Sequence, residues 1–258
     1  GGLSLPDRDY YLDQSKRFVE IRDAFTRHVE SMFRLYGESP QQAKHNAATV
    51  MQIETELAKV SADKVSRRDP NAMYHRLDRD GLVKLAPGFD WDTYFSTLGY
   101  PNISAINVDV PDFFVGMEKL LAKVSIADWR TYLRWHGLHE AAPALSKAFV
   151  QEDFSFTGKT LTGQPEMQPR WKRCVSSTLG ALGQPVGKVF VDKTFSPRAK
   201  TEAQSMIKAI EVAMGDRLKA LDWMDESTRN QAGEKLHKIV NQIGYPDRWR
   251  DYSALRVA

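Results

Sequence analysis

SKRFVEIRDAFTRHVESMFRLYGESPQQAKHNAATVMQIETELAKV (15–60) decides the fold. Phe18, Ile21, Phe25, Val29, Met32 and Phe33 recur at steps of three and four. In a helix of 3.6 residues per turn, that spacing gathers them on one face. Gly37 ends the helix, because glycine takes the left-handed conformation without a Cβ clash. Ser39 and Pro40 open a second helix as cap and first residue. Ala43, Ala47, Val50, Ile53, Leu57 and Val60 carry its apolar face. The connection is short, so the two helices are expected to pack as an antiparallel pair.

The same periodicity runs outward from this hairpin. Asp69-Pro70 repeats the cap-plus-proline start and predicts a short helix carrying Met73, Tyr74 and Leu77. Within 80–101 a small helix is capped by Asp90 and ended by Gly99. SAINVDVP (104–111) is the one strand-like stretch, alternating and rich in β-branched residues. Pro111 starts a helix through Phe114, Met117, Leu120, Leu121 and Val124. Ser125 caps the next, with Asp128 at its third position and Trp129, Tyr132, Leu133 and Trp135 inside it; Pro143 interrupts it. TGKTLTGQP (157–165) reads as a polar turn or short hairpin, and GALGQPVG (180–187) as an interhelical turn. Ser196-Pro197 opens a long helix whose inner face is Met206, Ile207, Ile210, Met214, Leu218 and Leu221. LDWMDESTRNQAGEKLHKIVNQIGYP (221–246) predicts a helix over 225–243, capped by Asp225, with a stripe of Ala232, Leu236, Ile239, Val240 and Ile243. Gly244 and Pro246 stop it. The chain therefore reads as mainly α, a multi-helix bundle of about nine to eleven helices with at most a minor β element.

The chain has 258 residues, 42% of them apolar and 27% charged, which suits a soluble folded protein with a sizeable core. Its 36 basic and 33 acidic residues are interspersed, for a net charge of +3. That balance excludes the dense basic footprint of a nucleic-acid binder. RWKR (170–173) is the densest basic cluster and SRRD (66–69) the next; both read as solvated or carboxylate-paired rather than phosphate-binding. The single cysteine, Cys174, cannot form an internal disulfide and reads as a small buried apolar residue or as half of an external bridge. No apolar run reaches the ~18 residues needed to span a bilayer. The start, GGLSLPDRDYYL, lacks the basic and apolar segments of a signal peptide and has no initiating Met. With the abrupt ending SALRVA, it suggests a piece of a longer polypeptide.

Six histidines are the first place to look for metal chemistry: His28, His45, His75, His136, His139 and His237. Only His136 and His139 are close in sequence, in WHGLHEAAP. Their i, i+3 spacing differs from the i, i+4 histidines with an intervening glutamate of a zinc-peptidase helix. They read as polar helix-surface residues. No phosphate-cradling Gly-rich loop after a strand and no G-x-S-x-G nucleophile turn occurs. Carboxylate pairs such as Glu54/Glu56 and Asp225/Glu226 read as surface charge or helix-dipole compensation. The residues by themselves describe a helical domain without a visible active site.

Four stretches carry a resemblance. GGLSLPDRDYYL (1–12) resembles the G-L-G-L-P-x-R-x-Y-Y segment of the neprilysin and endothelin-converting-enzyme family of zinc metallopeptidases. RRDPNAMYHRL (67–77) is similar to that family's R-x-D-P-x-x-x-Y segment. RWKRCVSSTLGALGQPVGKVFVDKTF (170–195) resembles its R-W-x-x-C segment, and LDWMDESTRNQAGEKLHKIVNQIGYPD (221–247) its W-M-D to I-G-Y-P segment. They fall in the family's order along the whole chain.

The resemblance implies a fold and a division of labour. Family members have a catalytic lobe and a helical lobe that caps it, enclosing a chamber that admits peptides and excludes folded proteins. The family's zinc helix, its Asn-Ala-[FY] stretch and its later zinc-ligand glutamate lie beyond the G-Y-P segment. The chain is therefore expected to be part of a zinc-dependent metalloendopeptidase acting on small peptides. Residues 1–195 would form the helical capping lobe, and residues 196–258 the connecting helices toward the catalytic lobe. The 225–243 helix would pack at the junction, and the strand-like DYSALRV would lead into that lobe. Zinc would be bound outside this chain, with no catalytic or metal-ligating residue within it, so the isolated chain would be inactive. Its partners would be the lobe carrying the zinc site and small peptide substrates, with no nucleic acid and no membrane span in this segment. Arg170, Trp171 and Arg173 are the candidates for contacts across the cavity or the lobe junction. The resemblance also implies an extracytoplasmic setting, whether secreted, periplasmic or in the cell envelope. Animal members bridge the cysteine of the R-W-x-x-C segment, so the lone Cys174 points to a bacterial-type member. The alternative is a non-catalytic helical peptide- or protein-binding module derived from the same family.

Overall fold

The computed structural model describes residues 2–256, which contain eleven α-helices and one two-stranded sheet. The chain divides into two compact units, Gly1–Met167 and Gln168–Ala258.

In the first unit, α1 (Asp9–Leu12) leads into α2 (Lys16–Leu35) and α3 (Pro40–Lys59), which pack side by side as the expected hairpin. Gly37 sits between them at φ +108°, and the Ser39 hydroxyl accepts from the Gln42 N–H at 3.3 Å. Then follow β1 (Arg76–Asp78), α4 (Arg79–Leu85), α5 (Trp91–Thr97), β2 (Ala105–Asn107), α6 (Pro111–Lys123), α7 (Ile126–Ala141) and α8 (Lys147–Asp153). The main core buries Phe25, Val29, Met32 and Phe33 of α2 against Ala43, Ala47 and Val50 of α3 and Trp135 and Leu138 of α7. A second cluster, around Trp91, Phe95 and Val108, sits under the small sheet.

Two local expectations in this unit are corrected. The short helix after Asp69-Pro70 does not form. Asp69 Oδ1 accepts from the Asn71 N–H at 2.9 Å, two residues on, which closes a tight turn instead of capping a helix. The chain then extends into β1, and Leu77 lies opposite Ile106 in an antiparallel pair with β2. The strand expected in 104–111 is therefore real but short, and its partner went unrecognised. The stretch 157–165 is not a hairpin; Phe154–Leu161 is a wide, π-helical turn continuing α8. Gly158 makes room there, since a Cβ would stand 2.4 Å from the Phe154 ring.

In the second unit, α9 (Arg170–Thr194) is bent at Leu182 (φ −129°, ψ 42°). Pro185 has no N–H to offer the preceding turn, and GALGQPVG holds the kink where two helical segments meet, in line with the interhelical turn expected there. α10 (Pro197–Lys219) opens on Ser196, whose hydroxyl accepts from the Ala199 N–H at 3.2 Å. α11 (Glu226–His237) is capped by Asp225, which accepts from the Thr228 N–H at 2.7 Å. It stops at His237, short of the expected 243, and the chain reaches Gly244 (φ +74°) without helix. Ile239 and Val240 are exposed, so nothing here buries the stripe that would reward continuing the helix. DYSALR (251–256) contains a turn and no strand, and Val257 lies outside the described residues.

The expected inner face of α10 is also corrected. Leu218 is buried, but Met206 and Ile210 are 67% and 60% exposed, and Met214 is exposed as well. Cys174 is exposed rather than buried. Among the described residues, no helix is long and apolar enough to cross a membrane.

Candidate functional site

The deepest polar group of the first unit is Glu54, on α3, with its side chain fully buried. A carboxylate cannot stay there without donors. Ser4 supplies two: its hydroxyl donates to Oε1 at 2.7 Å and its N–H to Oε2 at 3.2 Å. The Tyr11 hydroxyl donates to Oε2 at 2.5 Å and itself accepts from the Leu5 N–H at 2.9 Å. Burial, reinforced by the Glu54 charge, pushes the Tyr11 hydroxyl far above its usual pKa. Trp135 Nε1 donates to the Ser4 hydroxyl at 2.9 Å, and the Tyr132 hydroxyl to the Gly2 carbonyl at 2.8 Å. Gly2 sits at φ +74°, and a Cβ there would stand 2.4 Å from the Tyr132 hydroxyl. So the segment opening the chain is sewn onto α3 and α7, and Glu54 is a buried anchor rather than the surface charge expected.

The histidines separate. His136 Nε2 lies 3.2 Å from Glu54 Oε1 but is not aligned for a hydrogen bond. His139 turns the other way, toward His28 on α2, and stacks on Trp135 at 5.1 Å. Neither is a helix-surface residue, and they do not converge on one point. Burial lowers the His139 pKa, and the neighbouring His28 lowers it further. His28 is the group that periodicity could have exposed: it falls within the apolar stripe of α2, between Phe25 and Val29.

Beside the small sheet, a cavity of about 690 Å³ has apolar walls that include Phe89, Phe113 and Phe114. Arg8, Lys64 and Arg67 also line it. Arg8 donates to the Ser61 carbonyl at 2.7 Å, and Lys64 pairs with Asp9 at 3.1 Å and Asp7 at 3.7 Å. Sequence reasoning did not find this cavity, because its lining comes from segments more than a hundred residues apart.

In the second unit, Arg170 and Trp171 are exposed at the start of α9, and Lys172 Nζ lies 5.5 Å from the Trp171 ring centre. Arg173 Nε donates to the Gln168 carbonyl at 3.2 Å. The GYPD stretch has a visible structural role. Lys200, nearly buried on α10, donates to the Tyr245 carbonyl at 2.7 Å and to Asp247 at 2.5 Å. It also lies 4.4 Å from the Tyr245 ring centre.

His-Glu-x-x-His does not occur in the sequence, and His28 and His139, which lie near each other in space, come from separate helices.

Residues 1–246 match the family model described as Peptidase family M13. The chain is 30% identical over 253 residues to endothelin-converting enzyme 1 of Homo sapiens, covering 95% of this chain and 32% of that protein. It is 29% identical over 258 residues to Neprilysin-3 of Drosophila melanogaster, covering 96% of this chain and 33% of that protein. The crystal structure of Mycobacterium tuberculosis zinc metalloprotease Zmp1 in complex with inhibitor superposes with a TM-score of 0.89 at 35% identity. That match covers 99% of this chain and 38% of that one. The chain thus spans about a third of the length of the curated relatives it matches.

Proposed function

The chain belongs to peptidase family M13, and on that footing we propose that it is the helical capping portion of a zinc-dependent metalloendopeptidase cleaving small peptides. Residues 1–195 form the cap, and 196–258 are the connecting helices toward the catalytic lobe. The zinc and the residues acting on the scissile bond belong to that partner lobe. This chain walls the chamber and excludes bulky substrates. Arg170, Trp171 and Arg173 are assigned to the chamber wall or the junction, and the setting is extracytoplasmic.

The observation that carries this is the uncovered apolar face of α10. Met206, Ile210 and Met214 lie exposed at steps of four along one side of the helix. A contiguous apolar face of this kind marks an interaction surface. A chain spanning about a third of its relatives' length leaves a catalytic lobe to cover it.

The test is complementation. The chain alone should cleave no peptide. Adding a separately expressed segment that carries His-Glu-x-x-His and the later glutamate should restore peptide hydrolysis that a chelator abolishes. Two well-folded pieces that bind each other but give no hydrolysis would overturn the proposal. So would hydrolysis by the chain alone.

The cavity beside the small sheet favours the second reading, a non-catalytic peptide-binding module. Its apolar walls suit an apolar side chain, and its charged rim of Asp7, Arg8, Lys64, Arg67 and Asp109 carries both signs. Peptide binding at the cavity that persists without any catalytic segment would favour it.

A further inference from the structure

His28, His139 and Asp153 come from α2, α7 and the end of α8. One nitrogen of each imidazole and one carboxylate oxygen lie within 4.8 Å of one another. The His28 side chain is 1% exposed, and its Nδ1 lies 2.9 Å from Glu152 Oε1. An ionised carboxylate only accepts, so in a neutral ring Nδ1 carries the proton and Nε2 is left as a bare lone pair. His28 Nε2 has no partner, and His139 Nδ1 has none either. Two buried nitrogens that face one region without bonding each other are costly unless something satisfies both. Asp153 Oδ1 accepts from the Thr157 hydroxyl at 2.7 Å, which leaves its second oxygen available. The chain passes into the π-helical turn directly after Asp153, and such turns are frequent at functional sites.

We propose that His28, His139 and Asp153 form a non-catalytic site for a divalent transition-metal ion, zinc foremost. Two imidazoles and a carboxylate are a donor set zinc accepts, with water completing four-coordination. Ligand atoms on a tetrahedral zinc are about 3.3–3.6 Å apart, so binding the ion requires the three donors to settle at that separation. Glu152 has the outer-shell place: it fixes the His28 tautomer and orients the ring, as carboxylates behind metal-bound histidines do. The Phe156 ring stacked on His28 at 4.9 Å, and Trp135 on His139, exclude water and hold both imidazoles. The ion staples three helices of the first unit. It is separate from the catalytic zinc assigned to the partner lobe, and it departs from the expectation that this chain holds no metal.

The test loads the purified chain with Zn²⁺, dialyses it against metal-free buffer and measures retained zinc, with Co²⁺ as a spectroscopic probe. One retained equivalent, visible bands of tetrahedral cobalt and a melting midpoint several degrees higher are expected. His139→Ala and Asp153→Asn should each lose the retained equivalent, and Glu152→Gln should weaken binding about 10–100-fold. His45→Ala and His237→Ala, at exposed positions, should keep it. Folding of each variant is read by circular dichroism, and if His139→Ala fails to fold, Asp153→Asn decides. A folded wild-type chain that retains no metal, or a folded Asp153→Asn chain that retains all of it, overturns the proposal. Metal without peptide turnover leaves the capping role intact. Turnover by the chain alone would overturn that role without touching this site.

Discussion

Replacing Tyr11 by phenylalanine removes one oxygen and keeps the ring in its buried place. That oxygen donates to Glu54 at 2.5 Å and accepts from the Leu5 N–H at 2.9 Å. Loss of a hydrogen bond to a charged group is worth about 1.5–3 kcal/mol, and a buried N–H left without an acceptor about 1–3 kcal/mol. The two losses share neighbours and do not simply add, so destabilisation of about 3 kcal/mol is expected. Urea unfolding of the first unit reads it. With a slope of about 2 kcal/mol per M, the midpoint should fall by about 1.5 M. Ser4→Ala removes the other donor pair, and the double variant should fall short of additivity by more than about 0.5 kcal/mol. A shift under about 0.3 M for Tyr11→Phe, or additive behaviour, would show that water already solvates Glu54.

Alkaline pH probes the same tyrosine: burial raises its folded pKa, so above about pH 10 the unfolded chain releases a proton that the folded chain keeps. Stability should therefore fall with rising pH by about 1.4 kcal/mol per unit from this group, and in urea titrations Tyr11→Phe should flatten the slope by that amount. Gly116→Ala should destabilise despite better helix propensity, because its Cβ would stand 2.4 Å from Val60 Cγ1 and 2.7 Å from Val60 Cβ. Overpacking of about 1–3 kcal/mol against about 1 kcal/mol of propensity leaves a melting midpoint lower by about 2–5 °C, read calorimetrically. Ile210→Glu should leave the stability of the isolated chain within about 0.5 kcal/mol, since the residue is exposed. It should nevertheless abolish complementation by the catalytic segment in the peptidase assay; full complementation would remove the interface from α10.

Periodicity and caps revealed the α2–α3 hairpin, α7 with its Ser125 cap, and α10 with its Ser196 cap, because each is set by residues within one or two turns. Elements decided by distant partners stayed hidden. Leu77 is a strand residue only because Ile106 lies opposite it, and α11 ends early because no surface among the described residues of its own unit covers Ile239 and Val240. The apolar stripe of α10 was legible, but not that Met206, Ile210 and Met214 stay exposed within its own unit. For the candidate sites, spacing drew attention to His136 and His139 and then misled. Their true neighbours, Glu54 on α3 and His28 on α2, are set by helix packing that no local pattern encodes. Even so, a histidine inside the stripe of α2 was a signal in plain view.

The tie between the Tyr132 hydroxyl and the Gly2 carbonyl joins residues 130 positions apart. A ribosome delivers Gly2 first and Tyr132 many seconds later. During that interval the nascent hairpin holds Glu54 without His136, and Ser4 without Trp135. The opening segment can meet Glu54 as soon as α3 is made, but its ties to Trp135 and Tyr132 wait for α7, so those last stitches of the unit close late in synthesis.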